Sequence, residues 1–267
     1  MKRSFSKKGF SLIELLVVLG IIMILISLLM PALASLRQEA RRRVCQAEMQ
    51  QLSMLITTYC SDNKGRFPFV YEARPDGNWQ MPSGRVLGPV GALTATSYWP
   101  MAMFDEFGNT MYTDALLCPD DTYSLEYRAW LAMELGVPES EVQARAIRGL
   151  SNSLLIDPIA LQEPRERWHN WYFHVNAIHD AQFPSQKSFL VEDEPFHDYP
   201  YVPAIWPTGF HLVASALDGS VEWRSSVDAA PPIPLGIHRE YGLLDDQVAW
   251  NIQPFQYTRD GIRGYDW

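Results

Sequence analysis

Lys7-Lys8-Gly9-Phe10-Ser11-Leu12-Ile13-Glu14, followed by an apolar run that reaches Met30, is the stretch that decides how the rest of the chain is read. The run from Phe10 to Met30 is 21 residues. As a helix rising about 1.5 Å per residue it spans roughly 31 Å, about one hydrocarbon core. It is long enough to cross a membrane, and everything downstream reads as cargo on it. Its one expensive residue is Glu14, because a carboxylate within an apolar helix costs on the order of 3 kcal/mol and normally implies a partner. Snorkelling to the membrane surface is one resolution. Another uses the preceding residues: a cut between Gly9 and Phe10 creates an α-amino group whose positive charge meets the Glu14 of a neighbouring helix.

The segment Gly9-Phe10-Ser11-Leu12-Ile13-Glu14 resembles the processing signal of type IV prepilins and of the pseudopilins of type II secretion. Each element of that signal is present: a basic leader with Lys2, Arg3, Lys7 and Lys8, then Gly9, Phe10 and Glu14, with Pro31 where pilins often break the helix. The resemblance implies that a prepilin peptidase in the membrane cuts after Gly9 and methylates Phe10, and that Glu14 guides assembly. It also implies a cytoplasmic leader and a periplasmic domain, since Arg37, Arg41, Arg42 and Arg43 follow the run as closely as the leader lysines precede it and charge alone leaves orientation open. Two other readings remain. A secretory signal peptide is matched by Ala32-Leu33-Ala34, but its apolar core is about 7 to 15 residues. A plain uncleaved anchor leaves Gly-Phe-x-x-x-Glu unexplained.

Beyond Pro31 the pattern becomes amphipathic, with Leu33, Leu36, Ala40, Val44, Ala47, Leu52, Ile56 and Tyr59 at near-helical spacing. Pro31 removes a backbone donor and is expected to bend or loosen the helix. Asn63-Lys64-Gly65, with Pro68 beyond, supplies the stop. The expected organisation is a cleaved leader at 1–9, a transmembrane helix at 10–36, its amphipathic continuation at 37–65 and a globular domain at 66–267. The fold class is α+β, a long helix packed on a small antiparallel sheet with loop and helical insertions.

In that domain turn formers dominate 70–91, Leu116-Leu117-Cys118-Pro119 reads as a short strand ending at a turn, and Ser124–Leu135 and Glu139–Leu150 read as helices. Trp171–Ile178 and Ser188–Val191 carry strand-like content. The clearest sheet signal is Phe210–Leu217 and Val221–Trp223 joined by Asp218-Gly219, a pairing suited to a type I′ turn. The stretch from Ala40 to Pro68, the Cys118-Pro119 pair and a His before Asp-Gly also resemble a large bacterial group of prepilin-like proteins. His211 precedes Asp218 by a spacer of six, where nine is typical of the group. The 231–267 tail supports no element.

Three Cys allow at most one internal disulfide. Cys45 and Cys60 on one helix stand about 22 Å apart, far beyond the roughly 7 Å limit for a bridge, so Cys118 pairs with one of them or all three are buried thiols. The matches of Cys45 and Cys118 to the prepilin-like group favour Cys45–Cys118. The net charge of −9, or −13 once the leader's four cations are removed, argues against nucleic acid as a partner.

No catalytic residue is expected, and no metal or cofactor. His169, His174 and His179 recur every five residues, a step that no helix or strand turns towards one ion. Glu192-Asp193-Glu194 with His197 and Asp198 reads as a solvated loop. Some pseudopilins hold calcium in a carboxylate-rich loop, and the acidic stretches here permit a structural calcium although none has an EF-hand spacing. Nucleophile-elbow, zinc-protease and phosphate-loop motifs are absent from the sequence. The family resemblance implies a non-enzymatic subunit of a pseudopilus or pilus-like fibre, serving type II-like secretion from a single-pass position in the bacterial inner membrane. Its expected partners are prepilin peptidase, identical or related subunits, the assembly platform and membrane lipid. The alternative is a membrane-tethered module whose nine Trp and twelve Tyr bind glycans; an enzyme is the third.

Overall fold

The computed structural model describes residues 12–68, 79–80, 86–87, 99–103, 106–108, 116–118, 122–139, 142, 148–162, 174–192, 209–230 and 259–267. The chain divides into two compact units, Met1–Arg43 and Val44–Trp267.

One helix, α1 (Leu12–Asp62, 51 residues), supplies all described residues of the first unit and enters the second. In the first unit the large apolar side chains from Leu12 to Leu36 are exposed. A helix of this length and composition can cross a membrane. Helical backbone continues through Pro31, although proline cannot donate to the carbonyl one turn earlier. The serines on either side bond back to the backbone, Ser27 Oγ to the Ile24 carbonyl and Ser35 Oγ to the Ala32 carbonyl, both at 2.8 Å.

In the second unit α1 buries Cys45, Met49, Leu52, Ser53, Ile56 and Cys60. This face is rotated from the expected one: Leu52 and Ile56 belong to it, but Val44 and Ala47 are exposed. Cys45, Met49 and Cys60 lie on the buried face instead of Val44 and Ala47, while Tyr59, as expected, packs part-buried against the core. The helix ends where Lys64 (φ 61°) and Gly65 (φ 81°) turn left-handed, and the Gly65 N–H donates to the Cys60 carbonyl at 2.6 Å, closing the last turn as a Schellman-type cap does. A Cβ at Gly65 would lie 2.9 Å from His179 Nδ1, so both φ and space require glycine.

The helix packs on a four-stranded antiparallel sheet in the order β3 (Arg148–Leu150), β4 (Ser188–Glu192), β5 (His211–Ala216), β6 (Val221–Ser225). A separate ribbon pairs β1 (Trp79–Gln80) with β2 (Val86–Leu87). Leu150, Leu190 and Val213 join the helix residues, Trp99 and Leu116 in one core; Val191, Phe210, Leu212 and Ala214 form a second, against which Ala229 and Trp267 pack. Period-two alternation thus serves two buried faces. Trp99 donates its indole N–H to the Arg148 carbonyl at 2.9 Å.

Thr122–Leu135 is helix (α2), in line with the Ser124–Leu135 expectation. Four local expectations need correction. Leu116–Cys118 holds no strand and sits instead in the core as irregular chain. Arg148–Leu150 is not the end of a helix but β3, because its partner β4 offers a ladder and an apolar face that outweigh local propensity. His174–Asn176 forms no ladder; Ala177 makes an isolated bridge to Arg66, and Ile178–Asp180 is a 3-10 turn. At Asp218-Gly219 only Gly219 has positive φ (87°), so the turn is not type I′. The Gly219 N–H donates to the Ala216 carbonyl at 3.0 Å, the pattern of a three-residue hairpin loop closed by a left-handed glycine.

Candidate functional site

The amino-terminal site rests on sequence for Gly9 and Phe10, which lie outside the described residues. Glu14 lies in the first turn of α1, where its negative charge complements the helix dipole. The apolar run behind it offers no second ionisable side chain before Met30.

Where α1 meets the sheet, a disulfide, an ion pair and a hydrogen bond to a buried carboxylate lie close together. Cys45 on α1 and Cys118 form a disulfide with Cα atoms 5.5 Å apart, spanning 73 positions of chain. One turn along the helix Glu48 accepts from Arg148 at 2.9 Å, and the Arg148 side chain is fully buried. Glu192 lies directly across the β3–β4 pair from Arg148 and is itself buried; its Oε2 accepts the Val213 N–H at 2.9 Å. Burying such charges is costly unless they are paired and hydrogen-bonded; these contacts offset part of that cost, while Arg148 Nε and Glu192 Oε1 lack a hydrogen-bond partner among the described residues.

A second buried ion pair lies at the other end of β4. Lys187 Nζ stands 3.1 Å from Asp266 Oδ2, with both side chains buried, and Ser188 donates both its N–H and its hydroxyl to the same oxygen at 2.8 Å. Burial lowers the Lys187 ammonium from its usual range, opposed by the adjacent Asp266 carboxylate. The contact fastens the 259–267 segment to the sheet, as does the Asp266 N–H donating to the Gln186 carbonyl at 2.8 Å. Cys60, buried in the core of α1, is a free thiol; burial pushes it from 9.0 up to about 12, a backbone hydrogen bond working the other way.

Of the histidine series, His169 lies outside the described residues; His174 gives its backbone N–H to Leu155, and His179 abuts Gly65. Among the described residues the one cluster with metal-ligand proximity contains neither: Cys45, Cys118 and Glu192. Asp193, Glu194, His197 and Asp198 lie outside the described residues. His211 stacks on Trp223 with centroids 6.0 Å apart, a packing contact on the hairpin. Asp218 accepts the Ser220 N–H and hydroxyl at 2.9 and 2.7 Å, tightening the turn. Glu48, Arg148, Lys187 and Asp266 escaped sequence reading. The usable signal was a lone charge bordering an apolar strand, as Lys187 does before Ser-Phe-Leu-Val, but many edge residues share it.

Residues 4–30 match the family described as the prokaryotic N-terminal methylation motif. The ComG operon protein 3 homolog of Bacillus licheniformis is 30% identical over 86 residues, which is 31% of this chain and 89% of that protein. No solved structure matches the chain significantly.

Proposed function

The chain belongs to the type IV prepilin-like family of pilins and pseudopilins, and from that premise we propose that it is a structural subunit of a pseudopilus or pilus-like fibre, acting in type II-like protein secretion. Prepilin peptidase cuts after Gly9 and methylates Phe10. The mature chain then sits in the inner membrane as a single-pass protein, with the leader side cytoplasmic and the domain periplasmic. An assembly platform draws it into a fibre alongside identical or related subunits, and its domain performs no catalysis of its own.

The observation that carries this reading is the match at residues 4–30, together with the helix Leu12–Asp62, which runs without interruption from the apolar span into the domain core. Such a helix can pack in lipid before assembly and against its neighbours' helices afterwards, since the same exposed apolar surface serves both.

The test is the mass of the amino-terminal peptide of the mature protein. It is expected to begin at Phe10 and to carry one methyl group on its amine. A peptide beginning at Ser35 would overturn the reading in favour of an ordinary signal peptide.

A further inference from the structure

Cys45, Cys118 and Glu192 come from three different parts of the domain: α1, the 116–118 segment and the end of β4. All three are buried, and their two sulfurs and a carboxylate oxygen lie within 4.8 Å of one another. As a disulfide the sulfurs carry no charge and offer no strong ligand. Reduction changes that. A dithiol supplies two electrons and two protons and closes to its own disulfide, while the Cys45–Cys118 bond breaks to two thiols. A divalent cation can then displace both thiol protons to solvent and bind two thiolates.

Charge and geometry both favour the exchange. Two thiolates and a doubly charged cation sum to zero, as the disulfide does, so the buried charge around Glu192, Arg148 and Glu48 is unchanged. Zinc bonds of about 2.3 Å to sulfur and about 2.1 Å to oxygen in a tetrahedral site set the donor atoms roughly 3.5–3.8 Å apart. That is within the spread already present, so the sulfurs need only separate by a side-chain adjustment. Glu192 is held in place by the Val213 N–H, and such outer hydrogen bonds orient a metal's ligands. Thiolate donors select zinc-type ions over magnesium or calcium. We propose that, when reduced, Cys45 and Cys118 join Glu192 in a site for a zinc-type divalent cation, which replaces the disulfide as the tie between α1, the 116–118 segment and the sheet.

The experiment uses the full chain in detergent, oxidised or reduced with a phosphine, titrated with zinc and, for spectroscopy, with cobalt(II). The reduced chain is expected to bind one ion, with thiolate-to-cobalt charge-transfer absorption, and the oxidised chain none. Cys118→Ser should abolish that spectrum, and Glu192→Gln should weaken affinity by at least about tenfold. Cys60→Ala should leave both unchanged, since Cys60 stands apart from the cluster. Absence of a stoichiometric ion in the reduced chain overturns the proposal. So does binding that survives Cys118→Ser, or affinity unmoved by Glu192→Gln. Should Glu192→Gln fail to fold, Glu192→Asp replaces it: a shortened carboxylate that left the cobalt spectrum and affinity unaltered would equally exclude Glu192 as a ligand.

Discussion

Glu14 is the only ionisable residue between Phe10 and Met30, and its energetics set the first prediction. Opposite charges about 4 Å apart attract by roughly 4 kcal/mol at an effective dielectric near 20, comparable with the cost of placing a carboxylate in the apolar helix. An amine at Phe10 of the same subunit lies about one turn away, so neutralisation within a subunit competes with docking between subunits. Glu14→Ala should therefore leave insertion and cleavage after Gly9 intact, while processed protein shifts from sheared fibres to the membrane fraction; normal assembly of this variant would remove Glu14 from the docking role. Cys60 behaves differently, because it is buried and far from that chemistry. Its thiol stays protonated in the fold up to about pH 12, whereas the unfolded thiol ionises above 9.0. The raised value contributes stability that is complete below pH 9 and is lost as pH climbs towards 12. The loss is steepest at about 1.4 kcal/mol per pH unit. Urea unfolding of wild type and Cys60→Ala across that window should show the extra slope in wild type alone, and native Cys60 should resist alkylation at pH 8.

At the scale of elements, the β5–β6 hairpin shows how one backbone angle holds a register. Gly219 has φ 87° and open space around the position of a Cβ, so Gly219→Ala meets no clash and costs only the left-handed penalty of about 1–2 kcal/mol. Gly219→Asn, which tolerates that region, should lose less. Chemical denaturation of the two variants measures the difference; equal losses would mean that the turn, not the angle, is failing. The pairing of Phe210–Leu217 with Val221–Trp223 was legible in sequence because apolar runs and an Asp-Gly junction are local signals. The turn type was not, since it depends on where the ladder stops: Ser215 faces Val221, leaving Ala216 to accept from Gly219. Strand β3 is the opposite case. Arg-Gly-Leu has no strand signature, and its conformation comes from β4 lying alongside.

For the domain as a whole, stability depends on ties between segments distant in sequence, of which Lys187–Asp266 is the most buried ion pair among the described residues. Removing the cation alone strands a carboxylate in the interior. Lys187→Met should therefore cost about 3–5 kcal/mol, and Lys187→Met combined with Asp266→Asn should recover part of that loss. A thermal-melt double-mutant cycle reads the coupling directly. Additive losses would mean that the two side chains contribute through packing and the Ser188 hydrogen bonds rather than through each other.

The sequence by itself determined the amino-terminal half of this protein's logic: the processing signal, the span, the long helix and its stop, and a hairpin in an α+β domain. Those features are written in nearest-neighbour chemistry, in apolar length, helical period and turn residues, so they can be read without knowing what lies opposite. Only the tertiary structure decided which stripe of α1 faces inward, that Arg148–Leu150 is a strand, and that Arg148, Lys187, Glu192 and Asp266 are interior charges, with Glu48 half-buried against Arg148. Each of those outcomes depends on a partner dozens of residues away. A buried charge or a rotated helix face is selected by the groups that meet it across the core, and local sequence carries no record of them.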